Sequence, residues 1–155
     1  MQALTRSQIW LRRFCVLAVL MVSVVIILGA WTRLSDAGLG CPDWPGCYGH
    51  LDVRKAIDHV NTTNSAMPGS LREAHKTVPE MVHRYFASKL GLVILIIAAL
   101  SLLNRKKEKQ PVKLPLFIAG FIVLQALFGM WTVTLQLWPK VVALHLLGGF
   151  TTLSL

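Results

Sequence analysis

Apolar residues are gathered into four long runs, which cover residues 14–31, 85–103, 114–137 and 141–155. An α-helix needs about 20 mainly apolar residues to cross the hydrocarbon core of a bilayer, and the first three runs are of this order. None of the runs alternates between apolar and polar residues as a barrel strand would, and an open sheet leaves backbone groups unsatisfied in lipid. The pattern predicts an all-α integral membrane protein, a single domain built as a four-transmembrane-helix bundle with a truncated fourth helix.

Composition and charge agree with a membrane protein. The chain is 54% hydrophobic, and its mean hydropathy is +0.57. A formal charge of +9 is compatible with a nucleic-acid partner, but the bases flank the apolar runs. They are Arg6, Arg12 and Arg13 before the first run, and Arg105, Lys106, Lys107, Lys109 and Lys113 between the second and third. Because Lys and Arg mark cytoplasmic segments and contact lipid headgroups, we expect a cytoplasmic N-terminus, a lipid bilayer as partner and no nucleic acid.

The segment between the first two runs, residues 32–84, is long and polar. Its basic and acidic side chains balance, as they can in a translocated segment, so we expect this loop on the outer side of the membrane. Within it, residues 61–65 are predicted to form a linker. Residues 70–76 are predicted to form a short surface helix capped by Ser70, with Glu73 at the capping-box position.

Two cysteines, Cys41 and Cys47, lie in a part of this loop that is rich in glycine and proline. On an oxidising side of the membrane such a pair favours a disulfide. The pair is interpreted either as a structural staple or as a redox-active pair, since a short exposed bridge is often labile. The spacing differs from that of a thioredoxin-type motif, and a zinc site needs more ligands than are clustered here.

An acid, an imidazole and a guanidinium meet where the loop runs into the second apolar run. Glu80 lies three residues before His83 and four before Arg84, so the three share one face of a helix. Ionisable residues at such a place usually face a cavity and have a function. Ala87 and Gly91 follow His83 on this face and leave a groove that fits a flat cofactor. The alternative is a local Glu80–Arg84 pair, with the imidazole capping a backbone group.

A second histidine, His145, lies near the start of the fourth run and is followed by Gly148 and Gly149. Because the second and fourth helices both start outside, His83 and His145 are predicted at similar depth in one bundle. Two imidazoles beside small residues suit the axial positions of a haem iron. A metal without porphyrin is the alternative, although two nitrogens and one carboxylate suit it less well.

A short internal similarity links the first and third runs. Gly29-Ala30-Trp31-Thr32 ends the first, and Gly129-Met130-Trp131-Thr132 lies near the end of the third. Both segments are predicted at the outer surface, where tryptophan is common. We interpret the similarity as shared interface chemistry.

Taken together, four motifs resemble the N-terminal half of the haem A synthase family. They are the segment from Gly29 to Leu39, the pair Cys41 and Cys47, the signature Glu80-x-x-His83-Arg84, and His145-Leu146. The resemblance covers nearly the whole chain. It implies two related four-helix bundles in the bacterial inner membrane that oxidise a methyl group of haem O to the formyl group of haem A. In that family the first bundle is associated with the substrate haem and the second with a haem b cofactor.

Carried over by position, the resemblance implies a role for each motif residue. His83 and His145 would be the axial ligands of the haem iron, and Arg84 would belong to the haem-binding residues. Glu80 would be the catalytic carboxylate, with the two loop cysteines as the outer pair. Because the second bundle is missing and the fourth helix is short, we expect an incomplete chain. Its expected partners are haem O, a haem O synthase, and a second half supplied by another chain or another copy.

Two other functions use part of the same residues. A di-histidine membrane cytochrome b that only transfers electrons would need His83 and His145 but not Glu80. A membrane disulfide-handling protein would need the loop cysteines, but it usually requires a second redox pair. Cys15, the remaining cysteine, is predicted on the inner side and is a poor candidate for such a pair.

Overall fold

The computed structural model describes residues 6–66, 73–106 and 111–155. These residues form five helices: α1 (Arg6–Leu34), α2 (Val53–Ala66), α3 (Ala74–Leu103), α4 (Lys113–Thr134) and α5 (Pro139–Ser154). No strand occurs in these ranges, where the single β-type contact is an isolated bridge between Cys47 and His50. The prediction of an all-α protein is confirmed.

Three of the helices, α1, α3 and α4, are long and apolar enough to cross a membrane. Helix α5 has 16 residues and is shorter than these. Large apolar side chains such as Leu20, Ile27 and Leu92 lie on the surface of the protein, with exposed fractions of 61%, 66% and 59%. An apolar exterior of this kind is expected of helices that contact lipid, so the prediction of a membrane protein is confirmed.

The four long helices pack in a ring. Helix α1 contacts α3 and α5, and α4 also contacts α3 and α5, whereas α2 packs on α3. Within the described ranges the backbones of α1 and α4 do not approach each other closely, and neither do those of α3 and α5. Helices α3 and α5, which carry the two candidate histidines, are therefore opposite members of the ring.

The apolar core lies between α1, α3 and α4. Val22, Leu90 and Ile94 are its buried residues, and Ile118 and Ile122 of α4 pack against them. This cluster holds α3 in place between its two neighbours, and it begins two helical turns beyond His83 along the helix.

Helix boundaries differ from the predictions at the loop side. Helix α1 covers more than residues 14–31, and α3 begins at Ala74 rather than at residue 85, with Pro79 inside it. Hydropathy detects only the part of a helix that lies in lipid, whereas the backbone hydrogen bonds continue into the polar region. The predicted loop of residues 32–84 is therefore shorter than expected.

Helix α2 corrects the interpretation of the same loop, because residues 61–65, predicted as a linker, are helical. Its buried residues Ala56 and Val60 are four apart, so this helix has a narrow apolar face. Two small apolar side chains in a polar segment gave too weak a periodic pattern to predict it. Of the predicted surface helix 70–76, residues 70–72 lie outside the described residues, and residues 74–76 belong to α3.

Candidate functional site

Residues 35–52 and α2 cover the end of the bundle at which α1 ends and α3 begins. We call these residues and α2 the cap. A disulfide between Cys41 and Cys47 closes its central turn, as predicted. Both cysteines are fully buried and pack with Ala56 of α2 and Met81 of α3. The disulfide therefore lies in a small core between the cap and α3.

The disulfide should be complete in protein that is kept from reductants. We expect both cap cysteines to resist alkylation, and Cys41→Ser to leave one alkylated thiol and a cap destabilised by about 2 kcal/mol, the loop-closure contribution for so short a loop. Mass spectrometry after alkylation and the thermal midpoint measure these effects. Cys15→Ser, which removes the exposed free cysteine, is the matched control. Two freely alkylated cap thiols in the unreduced wild type would contradict the assignment.

The cap approaches α3 closely at Gly40. A Cβ atom at this position would lie 2.4 Å from the carbonyl oxygen of Lys76, so only glycine fits. The hydroxyl of Thr77 donates to the Gly40 carbonyl at 3.3 Å. The first turns of α3 are therefore in direct contact with the backbone of the cap.

An ion pair also links the end of α1 to the start of α3. The Lys76 ammonium donates to Asp36 Oδ2 at 2.9 Å and lies 2.7 Å from Glu73 Oε2. The hydrogen bond from Lys76 lowers the pKa of the Asp36 carboxyl. Both acids are largely exposed, so this pair adds little to stability.

Glu80 is buried at the boundary between α3 and the cap, with 4% of its surface exposed. Its Oε2 accepts a hydrogen bond of 2.9 Å from the backbone N–H of Cys41. Its Oε1 accepts from Nη2 of Arg84, one turn further along α3. The local Glu80–Arg84 pair, which is the alternative interpretation of this segment of the sequence, is therefore present, and the carboxylate also holds the disulfide turn.

Arg84 extends this network into the cap. Its Nη1 lies within hydrogen-bond distance of three backbone carbonyl oxygens, those of Asp43 at 2.8 Å, Pro45 at 3.3 Å and Gly46. A guanidinium suits this role because it offers several donors in one plane. The ion pair therefore connects α3 to the start of the disulfide turn, through Glu80 and the Cys41 N–H, and to its later residues, through Arg84 and the carbonyls.

His83 lies on α3 and contacts α1. Its Nδ1 is 3.1 Å from the carbonyl oxygen of Val25, so the imidazole contacts a backbone group, as the alternative interpretation of this segment expected. Because a carbonyl only accepts, Nδ1 carries the proton and Nε2 of the neutral imidazole keeps its lone pair. The ring lies against Gly29, where a Cβ atom would be 3.1 Å from Cε1 of His83.

His145 lies on α5 and contacts α4. A Cβ atom at Gly129 would lie 3.4 Å from Cε1 of its ring. Its Nδ1 is buried and has no hydrogen-bond partner among the described residues. A buried polar atom normally has a partner, so this nitrogen suggests that a group is bound next to the ring.

The small residues beside the two histidines do not all provide space. At Gly91 no atom lies within 4 Å of an added Cβ, so the predicted groove below His83 is open there. At Gly148 the added Cβ would overlap the amide of Gln125. The space expected below His145 at Gly148 is therefore occupied by a side chain of α4.

The two imidazoles belong to opposite helices of the ring. No group of three or more His, Cys, Asp or Glu side chains able to hold a metal ion occurs in the described part of the chain. Two histidines without a third protein ligand suit a haem iron, which takes its other ligands from the porphyrin. The donor set and the free lone pair of His83 fit this group.

Sequence reasoning missed the contacts made by Val25, Gly29 and Gly129. A backbone carbonyl that accepts a hydrogen bond has no residue signature, so nothing in the sequence marks Val25. The two glycines were noticed as members of the similar segments at the ends of the first and third runs, Gly29 also as the start of a family motif, and Gly129 also as part of a close-packed face with Gln125, but not as neighbours of the histidines. That similarity was the available signal for their role beside the histidines.

Comparisons with known proteins agree with these motifs. The profile of a family described as cytochrome oxidase assembly protein (COX15-CtaA) matches residues 12–155. The heme A synthase of Shewanella oneidensis is 50% identical over 146 residues, which are 94% of this chain and 42% of that protein. The heme A synthase of Exiguobacterium sibiricum is 28% identical over 124 residues, 79% of this chain and 36% of that protein.

A third relative, the heme A synthase of Bacillus mycoides, is 26% identical over 139 residues, 89% of this chain and 39% of that protein. The chain thus spans about two fifths of the length of these curated relatives. No solved structure was found to match the chain.

Proposed function

Because the chain belongs to the cytochrome oxidase assembly protein family, we propose that it binds haem O and takes part in oxidising a methyl group of this haem to the formyl group of haem A. The observation that carries the proposal is the arrangement of His83 and His145. They lie on opposite helices, each against a glycine, and His83 keeps its Nε2 lone pair available. The names of the relatives add the substrate class.

His83 and His145 would hold the haem iron from its two sides, and the bound haem would supply both the redox-active iron and the methyl group to be oxidised. The Nδ1–H of His83 donates to the Val25 carbonyl. Such a hydrogen bond fixes the ring and increases the basicity of the ligating nitrogen. His83 is therefore prepared for ligation before the haem arrives.

We further propose that Glu80 is the carboxylate that moves a proton during the oxidation. It lies one helical turn from His83 on α3, at the boundary with the cap. Its two oxygens are held by the Cys41 N–H and by Arg84. This arrangement fixes the position of the buried carboxylate, and a group that transfers a proton must be positioned in this way.

Arg84 remains a proposed haem-binding residue. In the present arrangement its Nη1 and Nη2 contact the cap carbonyls and Glu80. It would therefore act at the haem by fixing the cap and Glu80 above the site.

The ring of α1, α3, α4 and α5 is proposed to be a transmembrane four-helix bundle in which α5 forms part of the fourth span. With water as the source of oxygen, conversion of a methyl to a formyl group (R–CH3 + H2O → R–CHO + 4 H+ + 4 e−) releases electrons and protons, so an electron acceptor is required. We propose that a second four-helix half with a haem b receives the electrons. That half, and a haem O synthase that supplies the substrate, would be the partners of this chain.

The proposed topology is testable with single cysteines. In a Cys15→Ser background, Asp58→Cys on α2 should react with an impermeant thiol reagent added to intact cells. Lys106→Cys should react only after the membrane is opened, because the basic link is placed in the cytoplasm. Cys15→Ser without a new cysteine is the control. Labelling of the Lys106→Cys variant in intact cells would contradict the proposed orientation.

The proposed activity is measured in membranes of a strain that makes haem O and lacks haem A synthase. We expect haem A when this chain is expressed together with a second four-helix half, and none with either part alone. Extraction and chromatography of the haems provide the measurement. Bound haem without any haem A in the assembled protein would instead favour the electron-transferring cytochrome.

A disulfide-handling function is less well supported. The sequence contains three cysteines, and Cys41 and Cys47 are already paired and buried in the cap. Cys15 lies in the first half of α1, near the end that carries the basic residues. No second pair is available to exchange with the first.

A further inference from the structure

The ends of α1 and α4 are alike in structure as well as in sequence. Both contain Gly-x-Trp-Thr followed by the same closing turn. The N–H of Ala37 donates to the carbonyl of Thr32 at 2.9 Å, and the N–H of Leu137 donates to the carbonyl of Thr132 at 2.8 Å. The two segments are therefore equivalent structural units rather than similar surface sequences.

The equivalence extends to the histidines. Gly29, the first residue of one unit, contacts His83, and Gly129, the first residue of the other, contacts His145. In both cases Cε1 of the imidazole is the atom nearest to the position of an added Cβ, at 3.1 Å and 3.4 Å. One glycine of each unit thus borders one imidazole in the same way.

We propose that Gly29 and Gly129 are positioning residues that set where His83 and His145 present their rings to the haem. The proposal rests on the proposed haem ligation. A methyl group on Gly29 would lie 3.1 Å from Cε1 of His83 and would push this imidazole away from α1, and the ligating nitrogen would move with it. At Gly129 a methyl group would lie 3.4 Å from Cε1 of His145, which is an ordinary van der Waals distance, so a larger side chain such as valine is needed to displace that ring. Glycine provides the bare backbone surface on which each ring lies.

The two sites are restrained to different degrees. The Val25 carbonyl, one turn before Gly29, also holds Nδ1 of His83. A ring displaced by an added methyl group would lose this 3.1 Å hydrogen bond as well. No equivalent bond holds Nδ1 of His145 among the described residues. The contact at Gly29 is also the tighter one, so Gly29→Ala should have the larger effect.

Close packing of helices is the other reason for glycine in membrane helices. At both positions the nearest atoms belong to an imidazole and not to the backbone of a neighbouring helix. Gly120, on the same α4 helix, has no atom within 4 Å of an added Cβ. Gly120→Ala is therefore a matched control for a glycine that touches no ring.

The test measures hemin binding and the low-spin EPR signal of the purified full chain. Gly29→Ala should weaken hemin binding about tenfold, the usual effect of disturbing the support of a ligating histidine. Gly129→Ala should have little effect, whereas Gly129→Val should weaken binding, and both Gly29→Ala and Gly129→Val should shift the EPR g-values. Gly120→Ala should change neither quantity. Wild-type affinity and g-values in both Gly29→Ala and Gly129→Val would overturn the proposal.

A double-variant cycle covers the case in which Gly29→Ala folds poorly. If the added methyl group acts on the imidazole, the loss of thermal stability caused by Gly29→Ala should disappear in a His83→Ala background. An equal loss in both backgrounds would assign Gly29 to helix packing and refute the proposal. Full hemin binding by His83→Ala and His145→Ala would refute the haem ligation itself. Failure of the haem ligation can therefore be distinguished from failure of the proposed role of the glycines.

Discussion

Replacing His83 or His145 with alanine should remove the haem from the protein while leaving the helices folded. Each change deletes a proposed axial ligand, and even the loss of a hydrogen-bond partner of a ligating histidine costs about ten- to a hundredfold in affinity. We therefore expect hemin affinity to fall by more than about a hundredfold in either variant. Titration followed by absorption spectroscopy measures it.

The matched control is His75→Ala. His75 lies in the first turn of α3, is exposed, and contacts Glu73 at 3.8 Å. This variant should bind hemin like the wild type. Unchanged binding by the His145→Ala variant would contradict ligation from opposite helices and would place the haem, if any, on His83 alone.

Replacing Glu80 with glutamine should stop haem A formation without removing the haem. Glutamine keeps an oxygen for the Cys41 N–H, but its amide NH2 cannot accept the hydrogen bond from Arg84. Arg84 keeps its carbonyl acceptors in the cap, so we expect the cap to be weakened but to stay in place. Loss of the carboxylate removes the proposed proton transfer, so haem A formation in the assembled protein should fall by about a hundredfold or more.

Two measurements separate catalysis from structure in this variant, namely the haem content and the resistance of the disulfide to alkylation. Both should match those of Glu73→Gln, an isosteric change at an exposed acid just before α3. If Glu80→Gln instead loses its haem, or its cap cysteines become reducible, the structural contacts of the carboxylate with Arg84 and Cys41 account for the loss of haem A, and the catalytic assignment is wrong.

The fold class could be predicted from the sequence because lipid imposes a simple rule on it. Long apolar runs predict membrane helices with little help from tertiary contacts, and α1, α3 and α4 confirm this. Hydropathy predicts nothing about helices outside the hydrocarbon, which is where the first turns of α3 and the whole of α2 lie. The boundaries of these helices depend on the packing between the cap and α3, which hydropathy does not record.

Parts of the site were also predictable from spacing. The separation of Glu80 and Arg84 by one helical turn indicated their pairing as an alternative interpretation, and the two loop cysteines predicted the disulfide. The carbonyl of Val25 and the amide of Gln125 were not predictable, because their contacts join distant segments. Which nitrogen of His83 is free for ligation depends on the first of these contacts.

The most direct test of haem binding between α3 and α5 is to purify the chain from membranes that make haem O and to identify its pigment. We expect about one haem O per chain, with the near-infrared magnetic circular dichroism of an iron held by two imidazoles. Protein that carries no haem, or a haem whose spectrum lacks a second imidazole, would contradict the assignment of His83 and His145.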